Sequence, residues 1–331
     1  MPWYDMPLER LREYRTQTAE PGGLDEWWAK RLADSRKLAR PVDLRRHEPD
    51  LYGTVEVHDA AFSGSGGDRI RAWYLKPAGA VRPPVVVKFI GYGGGRGAPG
   101  EHMLLPALGY AVFVMDSRGQ GGRWTYGATG DGAEGPENSQ VMTRGITTPE
   151  DYYYTRMFTD AALAVDAALE LAGAPGAPRA PGPGAGLAVS GASQGGGLAL
   201  AAAALHRDKV AVCHADLPFL CDIQRAITLA PQAPYTEIPE FLAENVVLVD
   251  AALDTLRYID CALLARRITA ASLLSVGLMD VICPPSTVFA AYNEITAAKD
   301  IAVYPYSGHS VPRAHAERQL RHLKEHLPPS A

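Results

Sequence analysis

The stretch Gly186-Leu187-Ala188-Val189-Ser190-Gly191-Ala192-Ser193-Gln194-Gly195-Gly196-Gly197-Leu198-Ala199-Leu200-Ala201-Ala202-Ala203-Ala204-Leu205 decides the fold. It opens on a short apolar run that reads as a buried strand. It closes on an alanine-rich run that reads as a helix. Between them, Gly191-Ala192-Ser193-Gln194-Gly195 spells a G-x-S-x-G turn. Strand, sharp turn and helix together form the setting in which a serine Oγ is held exposed at the edge of a sheet. The flanking glycines allow backbones to approach where a side chain would clash. A serine that merely caps the helix would use the same residues, so the decision falls to the rest of the chain.

Strand signals continue on both sides. Thr54 to Phe62 alternates loosely and Arg69 to Leu75 more clearly, with Gly64, Gly66, Gly67 and Asp68 between them, which reads as a hairpin. Buried-type runs follow at Val85–Ile90 and Ala111–Met115, and a helix from about Asp151 to Leu171 leads into the central stretch. Later runs lie at Val210–Cys213, Ser272–Val276 and Ile301–Tyr304. The expectation is an α/β fold of eight strands: two antiparallel, then six in a mostly parallel sheet with helices on both faces. Residues 1–50 read as an amphipathic N-terminal helical arm, broken at Pro21-Gly22-Gly23. The Pro/Gly-rich stretch Ala174–Gly186 reads as a surface loop, and 217–267, which has no strand signal, as a helical insertion over the active-site edge. The whole of 1–331 reads as one domain.

Composition narrows the class. A chain of 331 residues with a net charge of −5 and no long basic run gives no reason to expect nucleic acid as a partner. No stretch is long and apolar enough for a membrane span, and the start lacks a basic and apolar leader. Four cysteines without a C-x-x-C pair read as reduced, mostly buried thiols of a cytoplasmic protein.

A serine hydroxyl is a weak nucleophile and needs a base, which in turn needs an orienting partner. In chain order those partners are expected as an acid and then a histidine. Asp280 follows the seventh expected strand and His309 the eighth. Both sit at carboxyl ends of parallel strands, where open α/β sheets place their ligands. The negative charge that develops on the substrate needs two backbone N–H donors. Gln194 is the expected first donor and Tyr92, in the loop Gly91-Tyr92-Gly93-Gly94-Gly95, the second. Tyr92, Phe219 and Ile282 are candidates for a small apolar acyl pocket.

Two other motifs point elsewhere. Gly93-x-Gly95-x-x-Ala98 with Asp116 about 20 residues on resembles a dinucleotide fingerprint. An antiparallel hairpin precedes it, however, and Pro99-Gly100 break the helix start. His322-Leu323-Lys324-Glu325-His326 spells H-x-x-E-H, but it lies in a charged terminal helix with no third ligand in view and reads as a solvated face rather than a zinc site. No metal and no cofactor are expected.

The chain resembles carbohydrate esterase family seven, the group of cephalosporin C deacetylases and acetyl xylan esterases, almost from end to end. The residues that carry the resemblance include Ile90-Gly91-Tyr92, Asp116-x-Arg118-Gly119-Gln120-Gly121, Met142-Thr143-Arg144-Gly145-Ile146 and Tyr152-Tyr153-Tyr154. They continue through Gly191-x-Ser193-Gln194-Gly195, Asp216-Leu217-Pro218-Phe219-Leu220-Cys221, Gly277-Leu278-Met279-Asp280 and Gly308-His309. The resemblance implies an α/β-hydrolase fold and a serine esterase that removes acetyl groups from small O-acetylated substrates. Acetylated sugars, xylo-oligosaccharides and cephalosporin C type esters are the implied substrates. Ser193 would be nucleophile, His309 base, Asp280 its orienter, and Arg118 and Gln120 part of a structural motif. A cytoplasmic homohexamer is implied as well. Ser310 stands where the family has Glu, which is expected to send Arg118 to another partner and loosen the His309 loop. Leu263-Leu264 stands in place of Asn-Phe, which would weaken polar contacts to a sugar if it borders the pocket.

Overall fold

The computed structural model describes residues 4–132, 140–173 and 186–329. The expected loop at 174–186 therefore falls, but for Gly186, outside the described residues. Among the described residues nine strands form one sheet: β1 (Asp43–Arg46), β2 (Val55–Ser63), β3 (Arg69–Pro77), β4 (Val85–Phe89), β5 (Ala111–Met115), β6 (Leu187–Ala192), β7 (Val210–Asp216), β8 (Ala271–Gly277) and β9 (Lys299–Tyr304). Their order is β1-β2-β3-β5-β4-β6-β7-β8-β9. The β2–β3 hairpin is antiparallel, with Phe62 opposite Ile70, and β3 runs antiparallel to β5. From β5 to β9 every pairing is parallel.

The strand missing from the sequence reading is β1. It pairs antiparallel with β2 at the sheet edge, and all four of its residues are exposed. An edge strand without a buried face has no hydrophobic alternation to read, so residues 1–50 are not helical throughout. They also hold α1 (Leu8–Leu11) and α2 (Leu24–Lys37). The latter buries Leu24, Trp28 and Leu32, and the Trp28 ring stacks on Phe158 at 6.1 Å.

The remaining helices are α3 (Leu104–Ala107), α4 (Tyr153–Leu171), α5 (Gln194–Leu205), α6 (Ile223–Leu229), α7 (Glu237–Glu244), α8 (Val249–Leu256), α9 (Cys261–Leu264), α10 (Pro285–Glu294) and α11 (His315–His326). Helices α4 and α5 cover one face of the sheet together with α2 and α10, enclosing the main core around Val87, Phe89 and Val189. On the other face, α11 buries Leu323 against Val86, Ala188 and Val212. Helices α6 to α9 and two short 3-10 turns fill 217–267, with no strand among them. All four cysteines are free and buried. No helix among the described residues is long and apolar enough to cross a membrane.

Candidate active site

The β6–α5 junction is built by close backbone approach. A Cβ on Gly191 would collide with the Gly195 backbone, and one on Gly195 with the Phe89 carbonyl. Ser193 between them is held at φ 56, ψ −122, a left-handed conformation that an ordinary side chain avoids. Its backbone is pinned on both sides: its N–H donates to Asp216 O at 2.8 Å, and its carbonyl accepts from Phe219 N at 3.0 Å. The strain is thus held by the neighbouring strand β7 and its following turn.

Three side chains from three strand ends converge there. His309 Nε2 lies 2.9 Å from Ser193 Oγ, and His309 Nδ1 lies 2.8 Å from Asp280 Oδ2. A carboxylate only accepts, so Nδ1 carries the proton and Nε2 is left to accept from the serine hydroxyl. Asp280 is fully buried. Its other oxygen accepts from Ile282 N at 2.8 Å and Cys283 N at 2.9 Å, which fixes the carboxylate before His309 reaches it. The N-terminal segment adds a support, because Tyr4 Oη donates to the Asp280 carbonyl at 2.7 Å. Cys283 joins Asp280 and His309 with ligand-type atoms within 4.8 Å of one another. Burial keeps the Cys283 thiol far above its ordinary pKa, and both ring nitrogens of His309 are engaged. A metal ion here would have to break the relay.

The two loops expected to supply N–H donors are tied to each other by Gln120. Its Oε1 accepts from Gly93 N at 2.7 Å, and its Nε2 donates to Gln194 Oε1 and to Tyr153 Oη, both at 2.8 Å. Gln194 Oε1 also accepts from Tyr154 Oη at 2.9 Å. Gln194 is the first residue of α5, a position whose N–H has no acceptor within the helix. Tyr92 is clamped at both ends: its hydroxyl donates to Glu237 Oε1 at 2.7 Å, and its carbonyl accepts from Trp124 Nε1 at 3.0 Å. Glu237 lies in the insertion, 6% exposed, and also accepts from Met142 N at 3.3 Å. Burial raises its pKa against the pull of those donors.

A cavity of about 770 Å³ opens over this arrangement, with Tyr92, Trp124, Ser193, Ile282 and His309 among its walls and Ala233 and Pro234 contributed by the insertion. Phe219 is not among them. It is fully buried, packed on Tyr235 with ring centroids 4.1 Å apart, and it serves the site through its backbone N–H to Ser193. Leu263 and Leu264 are likewise core residues on α9 and do not border the cavity. Arg118 has partners in plenty. It grips Asp160 with Nε at 2.6 Å and Nη2 at 2.9 Å, and it reaches Asp68 at 3.0 Å and Asp131 at 3.2 Å. Glu237 and Trp124 are among the residues of the site that the sequence alone does not single out. A lone acid opening a helix carries no signal, whereas the Trp124 indole in the glycine-rich loop Gly121-Gly122-Arg123-Trp124-Thr125-Tyr126 is a readable one.

The two diverting motifs resolve structurally. Asp116 is fully buried and accepts from Arg96 N, Ser117 N, Ala128 N and Thr129 Oγ1, so its carboxylate is spent on the loop. His322 is not fully solvated as expected: its Nδ1 meets His214 Nε2 at 3.1 Å, inside the α11–β7 contact.

Residues 1–326 match the model of the acetyl xylan esterase (AXE1) family. The chain belongs to the acetyl xylan esterase family. It is 27% identical over 307 residues to the acetyl esterase Axe7A of Xylanibacter ruminicola, covering 91% of this chain and 65% of that protein. The chain thus spans about two thirds of that relative's length. Among solved structures, acetyl xylan esterase 1 from Thermoanaerobacterium sp. JW/SL YS485 superposes with a TM-score of 0.84 at 34% identity, covering 97% of this chain and 98% of that one. An acetyl xylan esterase from Paenibacillus sp. R4 superposes with a TM-score of 0.83 at 32% identity, covering 97% and 100%. An acylaminoacyl peptidase from Pyrococcus horikoshii shares the fold alone, with a TM-score of 0.59 at 16% identity over 89% of this chain and 43% of that one. This acetyl xylan esterase family member has the α/β-hydrolase fold, with nine strands among the described residues rather than the eight expected.

Proposed function

We propose that this chain is a serine esterase that removes acetyl groups from small O-acetylated substrates through an acetyl-Ser193 intermediate. The observation that carries this is the unbroken relay from Asp280 through His309 to Ser193 Oγ, at 2.8 and 2.9 Å, on a strained elbow that opens into a cavity. His309 takes the hydroxyl proton as Ser193 attacks the acetyl carbonyl. The oxyanion is received by the N–H groups of Tyr92 and Gln194. The imidazolium, steadied by Asp280, gives its proton to the departing alcohol. Water activated by the same His309 then attacks the acetyl-enzyme and releases acetate. The family match and the acetyl esterase relatives support acetyl as the acyl group. No metal or cofactor enters these steps.

The test is an acetate-release screen over acetylated sugars, xylo-oligosaccharides and cephalosporin C, with Ser193→Ala as control. Release by the parent chain and none by the variant is expected; equal release by both would overturn the assignment. A homohexamer acting in the cytoplasm completes the proposal, on the family resemblance alone, and light scattering of the purified chain tests its assembly. One observation favours a broader alternative, a short-chain carboxylesterase or acyltransferase on the same residues. With Phe219 withdrawn into the core, the cavity is much larger than an acetyl group requires. Equal turnover of acetyl and butyryl esters would select that alternative.

A further inference from the structure

Trp124 stands 60% exposed in the wall of the cavity that holds Ser193 and His309. An indole left in water forfeits one of the largest burial gains of any side chain. Its exposure is not looseness. The Nε1 atom donates to the Tyr92 carbonyl at 3.0 Å. A Cβ on Gly94 would collide with Cζ2 and Cε2 of the indole, and one on Gly91 would touch Cζ2. The Nε1–Cε2–Cζ2 edge is therefore seated on the glycine loop, and the rest of the ring system projects from it. The anchoring fixes the orientation in advance, so a ligand meets a rigid surface and little side-chain freedom is lost on binding.

We propose that Trp124 is a stacking platform for the ring of an O-acetylated pyranose, which rests on the deacetylase function proposed above. A pyranose presents a flat face of C–H groups. Their partial positive charge suits the negative face of an aromatic ring, and both surfaces leave water on contact. An open-chain polyol acetate has no such face. The platform is linked by a single hydrogen bond to Tyr92, the expected oxyanion donor, so a sugar lying on the indole brings its ester beside Ser193. The alcohol half is then selected by shape at Trp124 while the acetyl group is selected at the elbow.

The experiment compares kcat/KM for per-O-acetylated xylopyranose and for glycerol triacetate, followed by acetate release, in the parent chain, Trp124→Phe and Trp124→Leu. Both variants lose the bond to the Tyr92 carbonyl, and only the leucine loses the aromatic face. The sugar-to-glycerol ratio is expected to fall about tenfold in Trp124→Leu, within the range of losses when an exposed stacking aromatic is truncated, and to be largely kept in Trp124→Phe. An unchanged ratio in Trp124→Leu, with both substrates slowed alike, would overturn the platform and leave Trp124 as a support for Tyr92. Cleavage of glycerol triacetate with none of the sugar acetate by the parent chain would also overturn it, with ester hydrolysis intact. Cleavage of neither would instead sink the deacetylase function itself.

Discussion

Replacing Glu237 with alanine tests whether the insertion positions the oxyanion loop. Glu237 accepts from the Tyr92 hydroxyl at 2.7 Å and from Met142 N at 3.3 Å, with only 6% of its surface exposed. A hydrogen bond to a charged acceptor contributes about 1.5–3 kcal/mol net. If all of that serves to hold Tyr92 in place, the ceiling on the rate effect is roughly 10- to 150-fold. Loss of an entire oxyanion donor costs about 10²–10³ in kcat, so a displaced loop should cost less than a missing one. The expected result for Glu237→Ala is a kcat on p-nitrophenyl acetate lowered roughly 10- to 100-fold with KM little changed. Tyr92→Phe should show a similar loss, and the double variant no further loss in kcat, because both single variants remove the same Tyr92–Glu237 bond. Steady-state kinetics on the three variants decides it. A kcat within about twofold of the parent, or single losses that multiply in the double variant, would refute the positioning role of Glu237.

Further outcomes follow from other contacts. Gln120→Ala removes the acceptor of Gly93 N and the donor to Gln194; kcat should fall with the fold retained, as read by kinetics alongside circular dichroism. Asp160→Asn weakens the two-point grip on the buried Arg118 and, with Asp68 and Asp131 still facing the guanidinium, should cost about 1.5–3 kcal/mol in urea unfolding. Ser310→Glu should change stability by less than about 0.5 kcal/mol, since Arg118 is already engaged by three carboxylates. Burial, with Lys88 beside it, holds the His102 imidazole down at about 4. The unfolded chain takes up that proton and the folded chain refuses it. Its stabilising contribution is therefore present above pH about 6.5 and is lost as pH falls toward 4, on the order of 2–3 kcal/mol. His102→Gln should flatten the fall in Tm across that window.

The elbow was legible because the backbone collision at Gly191 and Gly195 admits few other residues, so the geometry is written in the sequence itself. Asp280 and His309 were legible for a related reason, since parallel strands deliver their carboxyl ends to one edge and the residues there follow in chain order. What failed to show was whatever depended on pairing across long separations. Strand β1 lies at an edge with every residue exposed, so it lacks the alternation that betrays a strand. Glu237 meets Tyr92 across 145 positions, and no local pattern announces such a bond. Phe219 misled for the opposite reason: an aromatic next to a strand end looks the same in sequence whether it faces the cavity or, as here, the core. Arg118 looked short of a partner only because Asp160, 42 positions away on α4, could not be placed beside it.

The central claim is that acetyl transfer passes through Ser193 Oγ. Acid quenching of the chain during turnover of p-nitrophenyl acetate, followed by peptide mass spectrometry, tests it most directly. The acetyl group should be found on the peptide that carries Ser193. It should form far more slowly in His309→Ala, which lacks the base for both the attack and the water step, and should vanish in Ser193→Ala together with acetate release. Acetate release at the parent rate from Ser193→Ala, or an acetyl group trapped on another residue in its place, would contradict the claim.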